Sequence, residues 1–274
     1  MKTNKSVRGL QYAAAYLGAL VSLYPIFLML TSSFKTNIQI LKNPMSLPTS
    51  ISFTAYSKLI HQIPFGTYFW NSVVVSVVSV ALILLFGVLA SFYIARYPFR
   101  WNGALFFFFL LGMMIPIKLG IVPLFLLMKK LSLLNSVWSL VSVYTAIGLP
   151  LAVLILTGFF RTLPKELEEA ARIDGSSDFG VMWHVLLPLI RPALGTVMIM
   201  NFIMAWNDFF FPLIFIQDDM KKTIPVGMLS LFGQYSTDLS MLFAGLTLAS
   251  VPMIVMFFLA SKQFMEGMTA GAVK

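Results

Sequence analysis

Ten carboxylates, two histidines and no cysteine leave this 274-residue chain few groups for covalent chemistry. Without cysteine there is no thiolate nucleophile, disulfide or soft metal site. His61 in "HQIPF" and His184 in "WHVLL" stand too far from other ligands to suggest a metal cluster. A phosphate loop needs glycines followed by Lys and Ser or Thr, and no Gly-Lys dipeptide occurs. The chemistry on offer is binding and positioning by polar groups set in apolar sequence. Asp208, in "AWNDFFFPL", is the strongest case, because an acid within a membrane span costs about 2.5 to 3.5 kcal/mol. Two readings stay open for it. Trp206, Asn207 and Asp208 line a translocation path, where an aromatic face and polar groups suit a sugar, or Asn207 and Asp208 cap backbone freed by a break near Pro212. Ser72, Ser76 and Ser79 recur at helical spacing and form one polar stripe, which serves either helix packing or a path.

The second polar concentration is "EEAARIDGSSDFGVMWHVLLPLIRPAL", residues 168 to 194. From Pro164, "PKELEEAARID" reads as a helix with proline in its first turn. Glu166, Glu168 and Glu169 sit early, where the helix dipole favours acids, and Gly175 ends it. A second short helix is expected over about 177 to 185, ending before Pro188. Ala170 and Ala171 give the first helix a small-residue face that lets another surface approach closely. His184 is expected to pack or hydrogen-bond there.

The elements that hold these residues follow from composition. With 59% hydrophobic and only 11% charged residues, and a mean hydropathy of +0.88, the chain is not an ordinary soluble domain. Its apolar runs are too long for strands, so the fold class is an all-α membrane protein. The net charge of +9 is spread between hydrophobic spans, which fits membrane flanks rather than nucleic acid. Six segments reach the roughly 20 residues that a bilayer needs: about 10 to 31, 70 to 95, 102 to 127, 137 to 160, 190 to 216 and 241 to 262. The first follows Lys2, Lys5 and Arg8 but is too long for a signal peptide. Pro116, Pro123, Pro150, Pro212 and Pro252 are expected to bend or break spans. Lys118 is expected to snorkel to an interface. A small excess of Lys and Arg on the inner segments places both termini in the cytoplasm. The expected organisation is a tail at 1–9, a transmembrane domain at 10–262 whose polar hairpin at about 161–189 faces the cytoplasm between spans four and five, and a tail at 263–274.

Glu169, Ala170, Ala171, Gly175, Val185, Leu187 and Pro188, at this spacing, resemble the EAA loop of ATP-binding cassette importer permeases, with Val185 for the usual Ile. "IDGSS", "LLPLIRPAL", "WNDFFFPLI", "TIPVGM" and "GMTAGAVK" extend the likeness to the carbohydrate-uptake branch, similar to the smaller membrane subunit of the maltose transporter. The resemblance implies a permease subunit of an importer, multi-pass in the cell membrane, that translocates a sugar such as an oligosaccharide. It implies that the hairpin, with Glu169, Ala170, Ala171, Asp174, Gly175, Leu187 and Pro188, docks on an ATPase subunit and carries no catalysis. It also implies partners: a second permease subunit, two ATPase subunits that hold the ATP and Mg, and an extracytoplasmic sugar-binding protein. The chain itself is expected to bind no cofactor or metal. A glycerol phosphate ester as cargo would favour basic residues along the path, and the spans hold almost none. An ion-coupled transporter would need intramembrane carboxylates or two related halves, and an intramembrane enzyme a clustered site. For the first the sequence offers only Asp208 and no evident repeat, and for the second no such cluster.

Overall fold

The computed structural model describes residues 5–232 and 237–272, and these are helical apart from loops and an isolated bridge between Phe232 and Thr237. In chain order the helices are α1 (Lys5–Ser32), α2 (Asn37–Lys42), α3 (Thr54–Gln62), α4 (Phe65–Arg96), α5 (Asn102–Met114), α6 (Ile121–Lys130), α7 (Val137–Thr162), α8 (Glu166–Ile173), α9 (Asp178–Gly180), α10 (Leu187–Leu189), α11 (Arg191–Asn207), α12 (Phe210–Phe215), α13 (Ile224–Gly227) and α14 (Leu239–Ala272). Four are long and apolar enough to cross a bilayer: Gln11–Ser32 of α1, then α4, α7 and Leu239–Leu259 of α14. Two bent pairs also pass as single spans, which brings the candidate membrane helices to between four and six.

Several expected boundaries shift. The third segment is not one rod, because α5 stops at Met114 and a 3₁₀ turn (Ile117–Gly120) leads into α6 at 80°. Pro116 is the cause. It lacks an N–H and pushes Ile115 out of the helical region, to ψ 118. At 13 residues α5 extends only about 20 Å, too short to cross the bilayer alone. The fifth segment likewise breaks at Asp208, between α11 and α12. Pro150 and Pro252, by contrast, sit inside unbroken helices. Helix α1 begins at Lys5 and α14 runs on to Ala272, so both extend into the stretches expected as tails.

The chain forms two compact units. The first holds residues 1–66 and 227–251. In it the Asp238 carboxylate accepts the Met241 N–H and pairs with Lys58 at 3.8 Å, while the side-chain amide oxygen of Asn37 accepts the Ser240 N–H at 2.8 Å. These bonds join α2 and α3 to the start of α14. None of the apolar window of α1 is buried.

The second unit holds residues 67–226 and 252–274, and α7 is its axis, with 61% of its apolar window buried. One core cluster, at the Arg96 end of α4, gathers Phe92, Leu156, Phe160, Val181, Leu186 and Ala193. The other gathers Val75, Leu140, Tyr144, Phe211 and Phe215 around the opposite part of α7. Between them Gly148 lets α4 and α11 close on α7. A Cβ there would collide with the Asn201 amide oxygen and the Ile83 side chain. Gly148→Ala is therefore expected to destabilise the protein in detergent by about 1 to 3 kcal/mol through overpacking, read as a fall in the midpoint of chemical denaturation. An unchanged midpoint would mean that Ile83 and Asn201 move aside freely.

Candidate functional site

The polar hairpin is built as its sequence suggests up to Gly175. Helix α8 carries its three glutamates in the first turn and ends at Asp174, and Gly175 turns the chain at φ +84°, a left-handed conformation that disfavours side chains. The second helix does not end before Pro188. It continues from Asp178 to Leu189, with a π turn over Val181–Leu186 in which the Leu187 N–H reaches the Met182 carbonyl. Pro188 has no N–H to give the His184 carbonyl, and the wider turn lets the helix pass through it. At Ile190 the chain bends by 78° into α11.

The 3.6-residue period of α8 puts Glu168 and Ala171 inward. Ala171 is packed in the hairpin-end core, so the small-residue face expected at Ala170 and Ala171 is divided, with Ala170 outward and Ala171 against its own chain. Glu169, Asp174 and Gly175 are exposed, and Ile173 is 86% exposed. Leu187 packs partly into the core and Pro188 is exposed.

Sequence reasoning missed the pair that holds the hairpin in place. Arg96, the last residue of α4, meets Glu168 at 2.6 Å, both side chains being buried. The same guanidinium donates to the Leu163 carbonyl at 2.9 Å, just past the end of α7. Glu168 also faces Arg172 at 3.7 Å, and Arg172 contacts Asp178 at 3.1 Å and the Tyr97 hydroxyl at 3.2 Å. The Tyr97 hydroxyl, then Arg172, hold the Asp178 carboxyl below the usual range. The i,i+4 spacing of Glu168 and Arg172 was a legible signal, but the Arg96 contact joins positions 72 residues apart.

Asp208 lies at the other polar site. One carboxylate oxygen accepts the Tyr144 hydroxyl at 2.8 Å and the Phe211 N–H at 3.0 Å, so it caps α12 and ties it to α7. Trp206 is buried, stacked on Phe202 at 5.6 Å. Asn207 is exposed and donates to the Ile203 carbonyl at 2.9 Å. The Ser72 hydroxyl accepts the Ile224 N–H at 2.8 Å, and Ser76 and Ser79 are fully buried. The structure thus encloses the stripe and the indole, and it uses Asp208 to join two helices. Lys118 lies over the Phe210 ring at 5.3 Å, and His184 Nδ1 is 3.2 Å from the Gly180 carbonyl. No metal-ligand cluster occurs among the described residues.

Two predictions follow from these contacts. Arg96→Ala strands a buried carboxylate and is expected to cost about 3 to 5 kcal/mol, while Arg96→Met combined with Glu168→Leu recovers most of that loss. Protease resistance of the hairpin and denaturation midpoints read both effects, and equal loss in the single and double variants would show that charge pairing is not what matters. Tyr144→Phe and Asp208→Ala are each expected to cost about 1 to 3 kcal/mol. Their double variant should lose clearly less than the sum, because they share one hydrogen bond. Strict additivity in thermal unfolding would show that the bond is not the common cause.

Comparison with known proteins agrees with this architecture. Residues 83–264 match the model of the family described as "Binding-protein-dependent transport system inner membrane component". A putative ABC transporter permease from a Caldicellulosiruptor strain is 37% identical, covering 93% of each chain. The melibiose/raffinose/stachyose import permease MelC of Bacillus subtilis is 32% identical over 98% of each. Among solved structures, a bacterial ABC transporter involved in the import of alginate has a chain of the same fold, with a TM-score of 0.82 at 23% identity, covering 96% of this chain and 99% of that one. The chain belongs to the family of binding-protein-dependent transport system inner membrane components, which are transport permeases and not enzymes.

Proposed function

We propose that this permease subunit passes a carbohydrate, an oligosaccharide, across the cell membrane in an ATP-driven importer. Its six spans are α1, α4, the bent α5–α6 pair, α7, α11 with α12, and α14. Both termini and the hairpin face the cytoplasm, where Glu169, Ala170, Ile173, Asp174 and Gly175 meet an ATPase subunit. Two such subunits bind the ATP and Mg, because this chain has no phosphate loop. A second permease subunit completes the bundle, and an extracytoplasmic binding protein delivers the sugar. The carbohydrate class is supported by the cargo for which MelC is named.

The Arg96–Glu168 pair is the observation that carries the mechanism. An importer needs a rigid link between the element an ATPase grips and the spans that must move. The ion pair joins α8 to the end of α4, and the Arg96–Leu163 bond joins α4 to the end of α7. A push on the exposed face of α8 thus passes to both spans through short polar contacts rather than through a flexible loop. Asp208 and the serines serve in this reading as anchors within the bundle, not as sugar ligands.

The test is ATP-dependent uptake of a panel of oligosaccharides by vesicles containing the reconstituted complex and its binding protein. Glu169→Lys, Ile173→Asp and Gly175→Val are expected to cut uptake at least tenfold and to weaken retention of the ATPase, with insertion of the spans intact. Cysteines placed at Ser46 and Ser176 should label from opposite sides of the membrane. Normal uptake and ATPase retention in all three variants, or labelling from one side, would overturn the coupling model.

A further inference from the structure

A groove of about 340 Å³ opens beside α4 on the side of the hairpin, walled by Leu84, Leu85, Val88 and Leu89 of α4 and by Met182 and Trp183 of the π turn. It shares Leu84 and Leu194 with a second hollow of about 200 Å³. Arg191 stands in the wall of that second hollow. Both hollows are apolar, they adjoin at Leu84 and Leu194, and Arg191 borders the second. Arg191 is exposed and forms no ion pair among the described residues, and in the first turn of α11 the helix dipole gives a cation no stabilisation. Phe179 and Trp183 stack nearly parallel at 6.1 Å with more than half of each side chain exposed. The helix that carries them is turned by 78° from α11, which on the membrane-spanning reading proposed above lays it along the bilayer surface.

These features select a ligand that is apolar along its length and anionic at one end. Leu84 and Leu85 lie within a span, so the groove is reached from the hydrocarbon. Half-exposed Trp183 stands at the rim, where indoles favour the headgroup level. We propose that the groove holds an acyl chain of an anionic phospholipid, with the headgroup phosphate paired to Arg191. The lipid would fill the angle between α4, the hairpin and α11, the three elements through which hairpin motion reaches the spans. This inference rests on the membrane-spanning reading and is independent of the cargo.

The experiment places the intact complex, with its companion subunits, in nanodiscs containing trace phosphatidylglycerol or phosphatidylcholine bearing a diazirine on one acyl chain. After irradiation, labelled peptides are mapped by mass spectrometry. Adducts are expected on the peptides containing Leu84–Leu89 and Met182–Leu187, with phosphatidylglycerol favoured about fivefold, as one basic side chain near an anionic headgroup provides. Arg191→Gln should bring the two lipids to equal labelling, and Arg191→Lys should keep the preference. Ala81→Phe, which fills the wall without touching the charge, should suppress both. Equal labelling of the two lipids by the unaltered protein would overturn the proposal, as would a preference that survives Arg191→Gln. Absence of adducts on these peptides would mean that a companion subunit covers the groove, and loss of labelling to excess soluble glycerol phosphate would mean a phosphate site without a lipid. Either result would also overturn it. Because labelling is read without transport, a wrong cargo leaves the outcome unchanged.

Discussion

The contact between Arg96 and Glu168 is the constraint on which the hairpin end of the molecule depends. Burying a guanidinium and a carboxylate carries a desolvation penalty of several kcal/mol per ion, which only close geometry and further hydrogen bonds can offset. The pair approaches to 2.6 Å, the same guanidinium donates to the Leu163 carbonyl, and Arg172 lies 3.7 Å from the far side of the carboxylate, although Arg96 Nε and Glu168 Oε1 make no well-aligned hydrogen bond. A buried pair of this kind specifies register more than it adds stability. Turning α8 so that neither Glu168 nor Glu169 faced Arg96 would leave a buried guanidinium without a partner, which fixes the face α8 presents to α4.

Apolar packing reinforces that attachment and continues it into the next span. Ala171 enters the core one turn after Glu168, beside Val181, Met182 and Leu186 of the returning helix. That helix passes Pro188 by widening into a π turn rather than by ending, and so it stays rigid up to the bend at Ile190. Only there does α11 begin, with Pro192 in its first turn, where a missing N–H costs nothing. The hairpin is therefore attached to three long helices, by an ion pair at α4 and by continuous backbone at α7 and α11, and the Arg96–Leu163 bond ties α4 to the end of α7.

Much of this was legible in the sequence, and what was not has a common cause. The long apolar runs of α1, α4, α7 and α14 identify themselves by composition, since the bilayer demands about 20 apolar residues whatever surrounds them. The turn at Gly175 follows from local chemistry, and its φ of +84° is what a lone glycine after a helix suggests. Hydropathy could not distinguish a straight third span from the bent α5–α6 pair, because both are equally apolar. The proline that breaks it looks the same in sequence as Pro150, which breaks nothing. The structural role of Glu168 was missed for the same reason. Adjacent glutamates differ only in the face they present, and that face is set by Arg96 at the end of another helix. Tyr144 and the Ile224 N–H, the partners of Asp208 and Ser72, were equally beyond reach of local patterns.

The two polar constellations stand in a definite relation along α7. Tyr144 holds Asp208 near one end of this helix, and the Leu163 carbonyl holds Arg96 just past the other. Nineteen residues separate positions 144 and 163, about 28 Å at 1.5 Å per residue, close to the thickness of the hydrocarbon core. The polar anchors are thus separated by about the thickness of a hydrocarbon core, while the stretch between is closed by Gly148 against Ile83 and Asn201. A displacement imposed at Arg96 cannot be absorbed within α7, because its middle is tightly packed and its far end is tied to α12. In the importer proposed above it would appear as movement of the helix as a body.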